Sequence, residues 1–353
     1  MLNYRARLAD MPSYDVTERE WRIKINANES NLNLPPVVED RLMGRLSRVA
    51  FNRYPNEEYD ALREQIAAAN GCAKENILLA SGSSEIIEKI FFGFGGAEHK
   101  IVYPEPSFSM YRIYAKAAEA DGVPVSLNDD YTFNSEKFVA AVNDNAAALA
   151  VVCNPNNPTG TGIPLKDIKY VADNVKCALL LDEAYMEFFA AEQSALNILP
   201  AHKNLIVART FSKAYGLAAI RVGYMIADAE IVAMIEKAFM PYHLNVLSTV
   251  TADIVYQMRD EFVPRISQAI AERKRMAAVL AAIDGLTVYP SETNFLLVKY
   301  AKATALNEYL TQKGIGIRSF GNAPRLADCL RISMGQRTEN DEVLQAIKNF
   351  AEG

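Results

Sequence analysis

The sequence predicts an α/β protein, a mainly parallel sheet flanked by helices, followed by a smaller α+β unit. Between residues 76 and 227 six short apolar runs recur, at 76–80 (NILLA), 100–103 (KIVY), 147–153 (AALAVVC), 178–181 (ALLL), 205–208 (LIVA) and 222–227 (VGYMIA). Runs with so little polar alternation are what strands look like when helices cover both faces, as in parallel sheets. Amphipathic stretches separate the runs, giving the strand–helix alternation of βαβ units. From about residue 244 the texture changes to one long helical pattern followed by short strand patterns.

Taken in chain order, Tyr59, Leu62 and Ile66 share a helical face, with Glu57 and Glu58 in the first turn and Gly71 as a stop. Acidic residues are favoured there by the helix dipole. Gly82, Ser83 and Ser84 precede the apolar pattern Ile86, Ile87, Ile90 and read as a helix start. Its free N–H groups offer an anion site, although an ordinary serine N-cap explains the same residues. Pro164 opens a helix whose inner face carries Leu165, Ile168, Val171 and Ala172, a position that suits its missing N–H. In the C-terminal part Ile266, Ile270, Ala277 and Leu280 outline a long helix, and 287–289, 295–298, 316–318 and 330–333 read as strands. The expected organisation is an N-terminal arm at 1–45 packing on the small domain, a large domain at 46–243 and the small domain at 244–353.

Composition excludes several classes of function. With 353 residues, 50% of them hydrophobic, the chain is long enough for about two domains. The net charge of −6 leaves no general basic field for nucleic acid or an anionic membrane. The longest near-continuous apolar run, 146–153, falls short of the roughly 20 residues that span a bilayer. The first ten residues carry charge but no apolar segment of a secretory signal, so a cytoplasmic protein is expected. Cys72, Cys153, Cys177 and Cys329 form no C-x-x-C pair and are expected as buried thiols. Asp182 has no His or Cys at ligand spacing, so no metal site is expected. Neither G-x-S-x-G nor G-x-x-x-x-G-K-[ST] occurs.

Ligands of open α/β sheets bind outside the carboxyl ends of the strands. The residues that follow the runs are therefore read together: Ser81 to Glu85, Pro104 to Phe108, Asn154 to Gly160, Asp182 to Tyr185 and Arg209 to Lys213, with Arg221 opening the next strand. Singly, Lys213 is one lysine among many and Asn157-Pro158-Thr159-Gly160 is a turn. Together they supply every part of a pyridoxal 5'-phosphate site. Lys213 is the Schiff-base lysine, Asp182 the carboxylate at the ring nitrogen, Tyr185 and Asn157 the partners of the ring hydroxyl, and Phe108 the aromatic lid. Ser83, Ser84, Thr210, Ser212 and Arg221 form the phosphate cradle, the arginine through a charge-assisted pair.

In order and spacing these residues resemble the fold-type I, pyridoxal-phosphate-dependent aminotransferases of class I/II. Within them the chain resembles the histidinol-phosphate aminotransferase family, on 25–29 (INANE), 52–55 (NRYP), 209–217 (RTFSKAYGL), 291–298 (SETNFLLV) and 330–335 (LRISMG). The resemblance implies an aspartate aminotransferase-like fold with a seven-stranded sheet. It implies a homodimer with shared active sites, in which Tyr54 reaches the phosphate of the neighbouring subunit's cofactor. It assigns Arg331 to the substrate carboxylate, a task that suits the bidentate guanidinium. Arg318, Tyr14 and Tyr242 are assigned to the phosphate end of the substrate, and Asn28 to the substrate as well. Glutamate would be the amino donor and imidazole-acetol phosphate the keto acceptor, with Arg331 serving both half-reactions, in histidine biosynthesis.

The chain also departs from the family pattern. Ser83-Ser84-Glu85 stands where relatives carry a small residue and Asp-Glu, Phe108 stands where many have Tyr, Ser13 interrupts a Pro-Tyr pair, and 241–246 matches loosely. An aromatic or broad-range aminotransferase, or a lyase like the threonine-phosphate decarboxylases, is the rival reading. Regulators that carry this fold add an N-terminal DNA-binding module, for which 25–29 leaves no room.

Overall fold

The computed structural model describes residue 11, residues 19–55 and residues 57–353, the side chains of residues 57 and 58 excepted. The chain enters through strand β1 (Ile23–Lys24) and helices α1 (Pro36–Leu46) and α2 (Glu57–Asn70). Strands and helices then alternate: β2 (Ile77–Ala80), α3 (Ser83–Phe94), β3 (Lys100–Glu105), α4 (Met110–Ala117), β4 (Asp121–Ser126), α5 (Ser135–Asp144), β5 (Leu149–Cys153), α6 (Leu165–Asn174) and β6 (Ala178–Asp182). Strands β7 (Leu205–Thr210) and β8 (Gly223–Ala227) follow a stretch of short 3-10 turns, and helices α7 (Ala229–Glu236), α8 (Val246–Gln257) and α9 (Val263–Ala281) come next. The last part contains β9 (Leu286–Val288), β10 (Phe295–Tyr300), α10 (Ala303–Gln312), β11 (Ile315–Gly316), β12 (Arg318–Ser319), β13 (Cys329–Ser333) and α11 (Arg337–Glu352).

The main sheet has seven strands in the order β2-β8-β7-β6-β5-β3-β4. Pairing is parallel throughout the β7-β6-β5-β3-β4 part, while β8 runs antiparallel to both of its neighbours. Strands β2, β5, β6 and β8 are buried along their whole length, which is why they read as unbroken apolar runs. The sequence shows six of the seven strands. The seventh, β4 (DGVPVS), lies at the sheet edge and is mostly exposed. An edge strand needs neither a continuous apolar face nor every backbone donor, so Gly122 and Pro124 are tolerated and the usual signal is missing.

Local details settle two expectations. Gly82, at φ +83°, is the N-cap of α3 and makes no side-chain cap bond, so the neighbouring serines are not acting as N-caps. The stretch expected as one strand at 316–318 is two. β11 pairs in parallel with β1, whereas β12 pairs with β13 in the sheet ordered β12-β13-β10-β9. Cys153 and Cys329 are buried as expected, while Cys72 and Cys177 are only half-buried; all four are free thiols.

Apolar packing covers both faces of the main sheet and one face of the small one. Leu180, Ile206 and Met225 pack with Ile86 and Ile90 of α3 on one face, and Leu179, Leu181 and Val207 pack with Phe138 and Ile168 on the other. Ile23 and Ile25 join the small-sheet core with Leu296, Ile332 and Val343, as an arm packing on the small domain would. Helix α1, by contrast, packs Val38 and Leu42 with Leu62, Ile66 and Ile77. Helix α8 buries Val250, Ile254 and Val255 in that same large-domain core. On this packing we propose that the passage between domains lies at the start of α9 rather than at residue 244. Leu180 is wholly buried in the middle of the sheet. Leu180→Ala should lower unfolding stability by about 3 kcal/mol, read as a shift of the urea midpoint without a change of slope.

Candidate active site

The carboxyl ends of β5, β6 and β7 lie side by side and lead to the buried Asn154 and Asp182 and to the half-buried Lys213. Asp182 is the last residue of β6 and is 4% exposed. Its Oδ2 accepts the hydroxyl of Tyr111 at 2.7 Å and its Oδ1 the backbone N–H of Ala184 at 3.2 Å. Burial pushes its carboxyl up to about 6, against the opposing pull of these two donors. Lys213 follows β7 by three residues; its Nζ donates to the Ala27 carbonyl at 3.1 Å and lies 5.9 Å from the centre of the Tyr185 ring. Burial, with the positive charges of Arg331 and Arg221, pushes its amine down to about 8.

A second group of side chains closes over this pair from three places: Tyr185 just beyond β6, Asn28 on the N-terminal arm and Arg331 on β13 of the small sheet. Tyr185 is buried, accepts the Asn28 amide at 2.9 Å and is edge-on to Phe295; burial pushes its hydroxyl up to about 12. Asn28, at φ +56°, is fully engaged: its Oδ1 accepts from Ser333 at 2.8 Å and its carbonyl from Asn294 at 3.0 Å. It therefore stands as the support of Tyr185 more than as a free group for the substrate. Arg331 donates to Asn157 Oδ1 at 2.7 Å and to the Asn26 carbonyl at 2.8 Å, and its guanidinium lies over the Phe295 ring at 5.3 Å. Arg318 is exposed and faces Arg331 across the β12–β13 pair. Directly opposed residues project to the same side of a sheet.

A third cluster forms where β2 turns into α3. Thr210 Oγ1 accepts the Ser212 N–H at 3.1 Å, and Arg221, at φ +56°, donates to Ser212 Oγ at 3.4 Å and to the Ala218 carbonyl at 2.9 Å. The guanidinium lies against Gly82, where a Cβ would come within 2.6 Å of Arg221 Nη2. A Cβ on Gly223 would meet the Ser83 nitrogen at 2.3 Å. Only glycine permits this closeness, which brings a cation and the first N–H groups of a twelve-residue helix to one point.

Residues 22–347 match the aminotransferase class I and II family. The chain belongs to this family. It is 36% identical over 346 residues to a histidinol-phosphate aminotransferase of Caldanaerobacter subterraneus subsp. tengcongensis, covering 98% of both chains. It is 37% identical over 342 residues to one of Pyrococcus furiosus, covering 96% of this chain and 95% of that one. The crystal structure of histidinol-phosphate aminotransferase from Sinorhizobium meliloti in complex with pyridoxal-5'-phosphate superposes with a TM-score of 0.91 at 26% identity, over 100% of this chain and 98% of the other. The chain is thus a pyridoxal-phosphate-dependent transaminase with an aspartate aminotransferase-like fold.

The residues of this aminotransferase fit that cofactor. A buried carboxylate, an amine of lowered basicity and a glycine-walled anion cradle are the donor set such a group needs. Phe108 sits beside them, its ring edge-on to Tyr111 at 5.6 Å. The structure thus brings together Lys213, Asp182, Tyr185, Asn157, Asn28 and Arg331, with Thr210, Ser212 and Arg221 at the cradle. Tyr54 and Tyr242 are instead exposed and stack on one another, 4.5 Å between ring centres. Tyr14 lies outside the described residues.

Sequence reasoning missed Tyr111, which the Phe108 position one turn earlier could have suggested. It also missed a buried ion pair beside the site. Arg209 Nη2 lies 2.7 Å from Glu183 Oε2 and its Nη1 3.2 Å from Glu187, while Ser194 Oγ and the Ala195 N–H also serve Glu183. Both partners sit directly against motif residues, but a charged residue next to a motif carries no sign of being buried.

Two outcomes follow from this geometry. An amine-directed reagent on the cofactor-free protein should label Lys213 at a rate that levels off above about pH 8, whereas an ordinary lysine gains rate up to 10.5; peptide mass mapping reads it. Glu183→Gln, which leaves Arg209 short of its main partner in a dry site, should cost about 3 kcal/mol of unfolding stability in a denaturant titration.

Proposed function

We propose that this chain transfers an amino group between L-histidinol phosphate and 2-oxoglutarate, giving imidazole-acetol phosphate and glutamate, in histidine biosynthesis. The single observation that carries the reading is full-length identity of 36% to a histidinol-phosphate aminotransferase; the buried carboxylate of Asp182 and the weakly basic Lys213 support it.

Pyridoxal phosphate, when bound, supplies an electron-accepting ring that stabilises negative charge on the substrate's Cα. Asp182 holds the proton on the ring nitrogen; as a buried anion it stabilises a neighbouring cation. Tyr185 and Asn157 hold the ring hydroxyl, and Ser83, Ser84, Thr210, Ser212 and Arg221 hold the phosphate. With the cofactor bound, Lys213 would carry the proton between the substrate's Cα and the cofactor's C4′. An amine held near pH 8 is suited to this work, because both of its protonation states are accessible at neutral pH. Arg331 binds the carboxylate of glutamate in one half-reaction and the phosphate in the other, with Arg318 on the same side of the β12–β13 pair. Tyr242 and Tyr14 complete the phosphate end in this reading.

The working unit in this reading is a homodimer with shared sites. Phe51, Tyr54 and Met240 are 71%, 78% and 76% exposed. Large side chains rarely stand this far out without something to cover them. Tyr54, stacked on Tyr242, is then free to reach the phosphate cradle of the partner. The enzyme works in the cytoplasm, where a reducing environment keeps its four cysteines as thiols, and it takes small-molecule substrates without nucleic acid.

Adding L-histidinol phosphate alone to the cofactor-loaded protein should convert the bound cofactor to its amino form, read by absorbance, and 2-oxoglutarate should restore it. Lys213→Ala should abolish the cycle with the fold intact. Conversion by phenylalanine or tyrosine but not by histidinol phosphate would mark an aromatic or broad-range enzyme. Carbon dioxide released from threonine phosphate would mark a lyase.

A further inference from the structure

We propose that Tyr111 is a positioning residue for Asp182, fixing the rotation and the basicity of the carboxylate that serves the cofactor's ring nitrogen. The proposal rests on that role of Asp182. Tyr111 stands in the first turn of α4, one turn beyond Phe108, and its side chain is wholly buried. Its ring is wedged between Phe91 and Tyr103, each 6.2 Å away, and the edge of Phe108 at 5.6 Å. A phenylalanine would fill that space equally well, and a hydroxyl buried among rings is costly unless it is hydrogen-bonded. The Tyr111 hydroxyl donates to Asp182 Oδ2 at 2.7 Å, with the Cys153 thiol as a second, weaker polar neighbour.

The second oxygen of Asp182 is held from another direction by the Ala184 N–H at 3.2 Å. Two donors on different oxygens, one from α4 and one from the backbone after β6, fix the carboxylate plane. The other titratable groups about it are Glu183 and Tyr185 on its own segment, Cys153 at the end of β5, Tyr114 on α4 and Lys213 beyond β7. The Cys153 thiol points its hydrogen to the Pro155 carbonyl at 3.5 Å. Tyr111 is thus the side-chain donor that counters burial, and it lowers the affinity of Asp182 for protons. Removing the hydroxyl frees the carboxylate to turn and makes it protonate more readily.

The test compares Tyr111→Phe with Tyr103→Phe, which deletes a neighbouring buried hydroxyl, with Asp182→Asn, and with the double variant of Tyr111 and Asp182. Each holoenzyme is assayed for cofactor affinity by absorbance titration and for the glutamate half-reaction by stopped flow across pH. Tyr111→Phe should weaken cofactor binding and slow the half-reaction by about tenfold or more each. The KM for glutamate should stay within about twofold, and the acid limb of the profile should move to higher pH. Tyr103→Phe should stay within about twofold of the parent, and Tyr111→Phe should add almost nothing once Asp182 is Asn. Equal effects of Tyr111→Phe and Tyr103→Phe, or a full effect of Tyr111→Phe on top of Asp182→Asn, overturn the proposal. If Asp182→Asn itself changes neither cofactor affinity nor rate, the role of Asp182 fails and the proposal falls with it. Should Tyr111→Phe not fold, a fluorotyrosine at 111, a stronger donor of the same shape, must move the acid limb to lower pH; an unmoved limb overturns the proposal.

Discussion

The chemistry of this protein depends on holding two strand ends in fixed relation, and the Glu183–Arg209 ion pair lies across them. Glu183 follows the last residue of β6 and Arg209 is the penultimate residue of β7, so the pair joins the strand that ends in Asp182 to the one that leads to Lys213. Backbone pairing already aligns Asp182 with Ala208. The ion pair adds a charged clamp on the same junction, with Ser194 and the Ala195 N–H filling the remaining acceptor sites of Glu183. A pair so buried contributes little net stability, since desolvating two charges costs nearly what their attraction returns. Its value is geometric, because any slip of β6 against β7 would leave both charges poorly paired.

The site is assembled from pieces that are harmless apart. Asp182 and Lys213 come from the large sheet, whereas Arg331 lies on a small-sheet strand and Asn28 on the arm that leads into the molecule. Hydrogen bonds from Arg331 to Asn157 and from Asn28 to Tyr185 bridge these parts. The small-sheet, arm and large-sheet parts of the site are therefore mechanically joined. Movement of the small sheet would carry Arg331 and disturb Asn157 directly.

Electrostatics divides the labour between the two titrating residues. Burial favours the neutral form of each, raising the Asp182 carboxyl and lowering the Lys213 amine. The carboxylate is recovered by donors placed on both of its oxygens. The positive charges of Arg331 and Arg221 add to burial in keeping the lysine weakly basic.

The sequence by itself determined the sheet's buried strands, the helix starts at Pro164 and Gly82, and the polar residues that gather at the carboxyl ends of the strands. Each of these leaves a local mark: an unbroken apolar run, a helix breaker before a periodic face, or polar residues at a strand's carboxyl end. Only the tertiary structure decided β4, the separation of β11 from β12, the packing of α8 against α1 and α2 and the buried partners of Tyr111, Asn28 and Glu183. An edge strand has little to bury and so shows no run, and the same apolar helix face suits either domain. A tyrosine or a charged residue looks alike in sequence whether its partner is water or a carboxylate many residues away. The physical reason is common to all of them: their environment is made by other parts of the chain, and it exists only once those parts have come together.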